Sequence, residues 1–175
     1  ENRFNVNLEG IEYDAKFVFE SIGYNLEGNE LGASFGLVQL KKLEDNIKTR
    51  RENFKRQCDF FRKYSDFFIL PHETEDSYTG WLAFPIQLKN NTPFSRRDFQ
   101  IFLEKRNIQT RVVFTGNINR QPGFININKK VVDDGYPNAD YVMKYGVLLP
   151  LHHGLTDEMF DKLHSSIDSF MSKYI

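Results

Sequence analysis

From about residue 30 to residue 64 apolar side chains return at helical spacing: Leu31, Phe35, Val38, Leu40, Leu43, Ile47, Phe54, Cys58 and Phe61. Lys41, Lys42, Glu44, Asp45, Lys48, Arg51 and Lys55 fill most of the opposite face, so the pattern predicts an amphipathic helix. Read as one element it has about 35 residues and, at 1.5 Å per residue, a length near 50 Å. A compact domain of this size does not cover so long a helix, so part of it must pack against something else. Two helices broken near Asn46 are the alternative. The small residues Gly32, Ala33, Ser34 and Gly36 occupy its first turns. They let another backbone or a ligand approach, at a cost of about 1 kcal/mol for each helical Gly relative to Ala.

Downstream the period changes. Residues 67–70 predict a short strand stopped by Pro71, and residues 72–77 a polar loop. Residues 78–88 predict a second strand, with Trp81 and Ala83 on one face and Leu82, Phe84 and Ile86 on the other. Pro85 cannot donate to a ladder and predicts an edge or bulged position there. Ser95 and Asp98 have capping-box spacing and open a helix to about Arg106, with Phe99, Phe102 and Leu103 as its buried stripe. Residues 108–114 predict a third strand, and a Gly- and Asn-rich loop without a clear period follows over 115–130. A short helix after Pro137, a fourth strand over 147–151 and a terminal helix capped by Thr156 complete the order. Asp157 and Glu158 favour that last helix's dipole, and Leu163, Ile167 and Phe170 form its apolar face. The fold class is α+β: a long N-terminal helix plus a small antiparallel sheet covered on one side by helices. Neither a dinucleotide fingerprint nor a Walker-type loop is present.

At 175 residues the chain fits one domain with a real core. Its net charge of −1 supplies no field for nucleic acid or an anionic membrane, and neither is expected as a partner. Phe occurs 17 times, which points to a large aromatic core or a surface meant to be covered. Cys58, the single cysteine, excludes an internal disulfide framework and falls on the apolar stripe of the long helix, as a core residue would. No apolar run approaches the roughly 20 residues that span a bilayer, and no signal peptide is visible, so a cytoplasmic location is expected. The opening residues carry no initiator Met and read as the middle of something longer, or as a processed or trimmed start.

Three loops are rich in recognition groups. In Gly23-Tyr24-Asn25, Asn25 serves either as a cap or turn residue or as a phosphate or carbonyl contact near a helix N-terminus. Residues 110–124 bring Asn117, Arg120 and Gln121 together with Phe114 and Phe124 as aromatic planes. Arg120 offers a planar fork for phosphate or carboxylate, or else it is a solvated surface Arg. His152-His153-Gly154 follows the fourth strand. Adjacent histidines on a strand point to opposite sides, and no Cys or carboxylate completes a ligand set, so no metal site is expected. His153 lines a ligand pocket or is held structurally. No nucleophile–base arrangement of convincing order is present.

Gly23-Tyr24-Asn25 followed by Glu30, Ala33, Gly36-Leu37, Gln39-Leu40 and Lys42-Leu43 resembles the DegT-type sugar aminotransferases. These are pyridoxal-phosphate enzymes of the aspartate aminotransferase fold (fold-type I) that act on nucleotide-linked keto sugars. The resemblance runs from about Tyr13 onward. Ile108-Gln109-Thr110-Arg111, Gly116-Asn117 and Arg120-Gln121-Pro122 narrow it toward the 4-keto-6-deoxysugar 3-dehydratases, which make 3-deoxy sugars for lipopolysaccharide.

The resemblance implies that residues 29–175 are the C-terminal small domain and that residues 1–28 belong to a large domain and dimer interface. It implies pyridoxal 5'-phosphate or pyridoxamine 5'-phosphate as cofactor, and a homodimer in which Asn25 reaches the partner subunit's cofactor phosphate. It turns the loop of Asn117 and Arg120 toward the nucleotide-sugar. His152-His153 stands where many relatives have Tyr-Pro, so His153 remains a substrate-binding candidate on the local reading alone. No catalytic residue is expected in this stretch: the Schiff-base lysine, or the histidine that dehydratases put in its place, aligns upstream of residue 1. A lysine both moves the proton and re-forms the covalent link to the cofactor, which gives transamination. A histidine moves the proton without that link, which favours loss of the 3-hydroxyl. One dehydratase subtype holds an iron–sulfur cluster through cysteines that also align upstream, and this sequence leaves that open. The chain alone is expected to be inactive. The reading of another class is a non-catalytic domain that dimerises through its long helix.

Overall fold

The computed structural model describes residues 6–8, 11–13, 18, 24 and 28–175. In chain order the elements are β1 (Val6–Leu8), β2 (Ile11–Tyr13), α1 (Glu30–Phe61), β3 (Phe68–Ile69), β4 (Ala83–Leu88) and α2 (Arg96–Glu104). They continue with α3 (Pro122–Ile125), α4 (Pro137–Tyr145), β5 (Gly146–Pro150) and α5 (Asp157–Met171). Turns of 3₁₀ helix lie at Arg62–Tyr64 and Ile118–Arg120. The chain divides into two units, Glu1–Lys41 and Lys42–Ile175, and α1 contributes to both.

In the first unit β1 and β2 pair antiparallel, with Val6 opposite Tyr13 and Leu8 opposite Ile11. The cap of α1 is Asn29: its Oδ1 accepts the Gly32 N–H at 2.7 Å and its carbonyl accepts the Ala33 N–H at 3.0 Å. Such a cap contributes about 1 kcal/mol. The helix then runs unbroken for 32 residues, so the single-helix reading holds and Asn46 marks no break. Its first turns leave Leu31 86% and Phe35 68% exposed, and Leu37, Val38 and Leu40 are exposed beside them.

In the second unit β3, β4 and β5 form an antiparallel sheet with β4 in the middle. Along β4 the pleat buries Phe84, Ile86 and Leu88 and leaves Ala83, Pro85 and Gln87 half-buried. Helix α2 packs on α5 and β5, and α4 packs on β4 and β5. Ser95 and Asp98 form the expected capping box, with Asp98 N–H to Ser95 Oγ and Ser95 N–H to Asp98 Oδ2 both at 3.1 Å. Phe61, Phe68, Phe84, Phe94, Phe99 and Phe170 are buried in the core. The Phe170 ring meets Phe94, Phe99 and Phe102 edge-on at centroid distances of 4.9, 5.3 and 5.1 Å. Cys58 packs half-buried against this core, and burial pushes its thiol pKa up.

Three strand expectations change. The strand over 78–88 starts only at Ala83, and Leu82 is exposed rather than aligned with Phe84 and Ile86. Upstream of it the backbone finds side chains instead of a ladder. Glu73 accepts the Thr79 N–H at 2.5 Å, and Arg51 Nη1 donates to the Thr79 carbonyl at 3.0 Å. Pro85 sits in the central strand rather than at the sheet edge. However, β3 reaches only Gln87 and Leu88, so beside Pro85 the ladder partner is Leu148 of β5 alone. That one-sided neighbourhood is the condition under which a strand proline is tolerated. The strand expected over 108–114 reduces to one antiparallel bridge, Arg111 with Leu148, closed by N–H to carbonyl bonds of 3.1 and 2.7 Å. Phe114 ends it by turning left-handed, at φ +46°.

Candidate functional site: the loop pinned to helix α4

After the Arg111–Leu148 bridge the chain makes a tight turn in which the Gly116 N–H donates to the Val113 carbonyl at 3.0 Å. Gly116 has φ +62°, and a Cβ placed on it would lie 2.5 Å from Cβ and Cγ of Met143. Glycine is required there on both counts: the backbone is left-handed and it rests directly on α4. Phe114, two residues earlier, adopts φ +46° without that freedom, at a cost of about 1–2 kcal/mol. The residue is 85% exposed, so packing of its side chain does not offset the strain.

The next residues are held by one carboxylate. Asn117, buried, accepts the Asn119 N–H at 3.1 Å through Oδ1 and so caps the 3₁₀ turn at Ile118–Arg120. Its Nδ2 donates to Asp140 Oδ1 at 2.7 Å. Arg120 closes on the same carboxylate in a two-pronged pair, Nε to Oδ1 at 2.5 Å and Nη2 to Oδ2 at 2.6 Å. These bonds from Arg120 and Asn117 hold the Asp140 carboxyl at a pKa of about 2 and push the Arg120 guanidinium up. Nη1 of Arg120 makes no hydrogen bond among the described residues, and the side chain is more than half exposed. The arrangement therefore presents an oriented guanidinium edge to solvent, suited to a phosphate or carboxylate. Gln121 ties the loop back on itself, Nε2 donating to the Thr115 carbonyl at 2.9 Å.

The structure thus brings Asn117 and Arg120 together on Asp140 and leaves His153 elsewhere. His153 lies exposed in the turn after β5, its ring edge-on to His152 at 6.5 Å. His152 Nδ1 accepts the Gly154 N–H at 3.1 Å, and the His152 carbonyl accepts Nδ2 of Asn53 at 3.2 Å. Asn25 lies outside the described residues, and the cap of α1 belongs to Asn29. Sequence alone does not mark Asp140. It stands 20 residues beyond Arg120, and an acidic residue in a first helical turn reads equally well as a dipole partner.

A concavity of about 360 Å³ lies between α1 and the 73–81 segment, with Phe54 stacked on Trp81 at 4.1 Å. Its guanidinium, Arg51, is consumed by Glu73 at 2.7 and 2.8 Å and holds the Glu73 carboxyl at a pKa of about 2, so this cluster fastens the 73–79 loop. The loop donors of Asn117 and most of Arg120 are committed to Asp140, and Asn25 is outside the described residues. The described residues therefore do not by themselves form a seat for a pyridoxal ring and its phosphate. Among them, no group of three metal-ligating side chains is clustered.

Residues 4–168 match the DegT/DnrJ/EryC1/StrS aminotransferase family. The chain is 34% identical over 158 residues to the lipopolysaccharide biosynthesis protein RfbH of Salmonella typhimurium, covering 90% of this chain and 36% of that protein. It is 34% identical over 161 residues to the dTDP-4-dehydro-2,6-dideoxy-D-glucose 3-dehydratase of Saccharopolyspora spinosa, covering 92% of this chain and 34% of that one. The solved E. coli GDP-4-keto-6-deoxy-D-mannose-3-dehydratase with bound hydrated PLP superposes at TM-score 0.77 and 26% identity, over 86% of this chain and 38% of that one. The chain spans about a third of the length of these relatives. A match over nearly the whole sequence, joined to a shared fold, assigns it: the chain belongs to the DegT/DnrJ/EryC1/StrS aminotransferase family.

Proposed function

We propose that this chain is the C-terminal domain of a pyridoxal- or pyridoxamine-phosphate-dependent enzyme acting on nucleotide-linked 4-keto-6-deoxysugars, as a 3-dehydratase or C4 aminotransferase, in deoxysugar and lipopolysaccharide biosynthesis. The observation that carries it is the 34% identity to a nucleotide-linked deoxysugar 3-dehydratase over 92% of the chain. The cofactor, when bound by the complete protein, supplies an electron sink for carbanion chemistry beside the ketone. The part proposed for this chain is binding. Arg120, held by Asp140 with one edge free, receives the substrate's diphosphate, and remote binding energy of this kind positions the reacting sugar. Asn117 keeps the loop in place, His153 is a further candidate contact, and Asn25 is assigned to the cofactor phosphate of a partner subunit.

The enzyme so proposed is a homodimer in the cytoplasm. The apolar stripe at Leu31, Phe35 and Val38 supports burial of the start of α1 in the assembled protein, and among the described residues no helix is long and apolar enough to cross a membrane. The same stripe also fits the reading of another class, a domain that dimerises without catalysis. One assay separates the two. The full-length protein is incubated with pyridoxamine 5'-phosphate and GDP-, dTDP- or CDP-linked 4-keto-6-deoxysugars, and products are identified by mass spectrometry. Loss of the 3-hydroxyl, or an amino sugar when an amino donor is added, supports the enzyme. No product with any nucleotide, from a protein that sediments as a dimer, supports the interaction domain.

A further inference from the structure

Phe114 combines three properties that rarely meet in a residue with only a structural task. Its backbone is strained at φ +46°, the residue is 85% exposed, and the turn that carries it is seated on α4. The seating is Gly116 against Met143 of α4, while Arg120 is seated on Asp140 of the same helix. Positions 140 and 143 are one helical turn apart on one face, about 5–6 Å between Cβ atoms. The helix therefore anchors an exposed aromatic turn and an oriented guanidinium side by side. Strain that persists at an exposed side chain points to a role outside folding.

We infer that Phe114 is a stacking platform for the nucleobase of the substrate, next to the Arg120 seat for its diphosphate. This deepens the proposed function and rests on it. A base offers a flat apolar face whatever its hydrogen-bonding edge, and an aromatic side chain meets that face without desolvating a polar group. A nucleoside diphosphate carries a planar ring and an anion linked through one sugar, the two chemistries that this loop displays.

The test uses the full-length protein and its Phe114→Ala, Phe114→Gly and Phe114→Trp variants. It measures KM for the nucleotide-linked sugar and inhibition constants for the free nucleoside diphosphate and for inorganic pyrophosphate, which lacks the base. The Ala and Gly variants are expected to raise KM and the nucleoside diphosphate constant about tenfold, with the pyrophosphate constant unchanged and Trp within about twofold of wild type. The Gly variant, freed of the left-handed strain, is expected to melt at a higher temperature while binding more weakly, which separates binding from folding. Unchanged KM in an active, folded Ala or Gly variant overturns the inference and leaves the proposed function standing. A pyrophosphate constant that rises in parallel also overturns it, since the loop rather than the base contact has then been lost. A wild-type protein inactive toward every nucleotide-linked sugar overturns the proposed function and this inference with it.

Discussion

Asp140 grips Arg120 at both prongs of its fork, 2.5 Å from Nε and 2.6 Å from Nη2, across 20 residues of sequence. The pair fixes the direction in which the guanidinium's remaining edge points. Asp140→Asn keeps the shape of the acid and removes its charge, so one prong of the pair weakens and Arg120 becomes mobile. In the full-length enzyme KM for the nucleotide-linked sugar is expected to rise about tenfold while kcat falls less, the pattern of a positioning residue. Steady-state kinetics on the variant check it.

The same pair has an acid limit. The Asp140 carboxyl sits at a pKa of about 2 in the folded chain against an ordinary 3.8. A depressed carboxylate contributes its stabilisation above the ordinary value and loses it as pH falls through the folded one. The stabilisation from the Arg120–Asp140 contact is therefore expected to be full above about pH 4 and to fade toward pH 2, where the folded carboxyl takes up its proton. Carboxyl NMR chemical shifts of Asp140 over that range test the window.

Gly116 and Gly123 make a matched pair for the turn. Gly116→Ala forces a Cβ to within 2.5 Å of Met143 at φ +62°, whereas a Cβ on Gly123 in α3 meets nothing within 4 Å. Gly116→Ala is expected to cost about 1–3 kcal/mol in urea unfolding, and Gly123→Ala to be neutral or slightly stabilising. Equal effects at the two sites contradict the seating of the turn on α4.

Gln57 and His164 tie α1 to α5 beneath the end of β5. Gln57 is fully buried, donating from Nε2 to the Pro150 carbonyl at 3.3 Å and meeting His164 Nε2 with its Oε1 at 3.0 Å. Since Gln57 Oε1 accepts only, His164 donates from Nε2, and its ring lies flat on Phe60 at 3.7 Å. Burial first, and then the Arg56 charge, lowers the His164 pKa to about 4 from 6.5. Between those values the unfolded chain binds the extra proton and the folded one does not, so stability is full above pH 6.5 and falls toward pH 4. Gln57→Leu leaves the partly buried Pro150 carbonyl and His164 Nε2 without this partner and is expected to cost about 1–3 kcal/mol. Thermal melts across pH 4–7 and imidazole NMR titration check both.

The long helix, the Ser95–Asp98 capping box and the final strand were legible because each is written in local periodicity or in one capping pair. The 78–82 segment was not, because its alternation is real but its backbone is claimed by Arg51 and Glu73, a pairing 22 residues apart. The strand expected before Phe114 failed for a related reason. Its β-branched residues suit a sheet, yet the backbone turns left-handed where the loop must meet α4. Arg120 was visible as a cation with a planar fork, and Asn117 as a recognition group in the same loop. Their common partner was invisible, since only the fold carries Asp140 back to them.

The most direct measurement is KM for the nucleotide-linked sugar in the full-length protein carrying Arg120→Ala, with Arg120→Lys beside it. A diphosphate seat at Arg120 predicts a rise of at least about tenfold for Ala with a smaller change in kcat, and partial recovery for Lys, which keeps the charge without the fork. A folded, active Arg120→Ala enzyme with wild-type KM contradicts it.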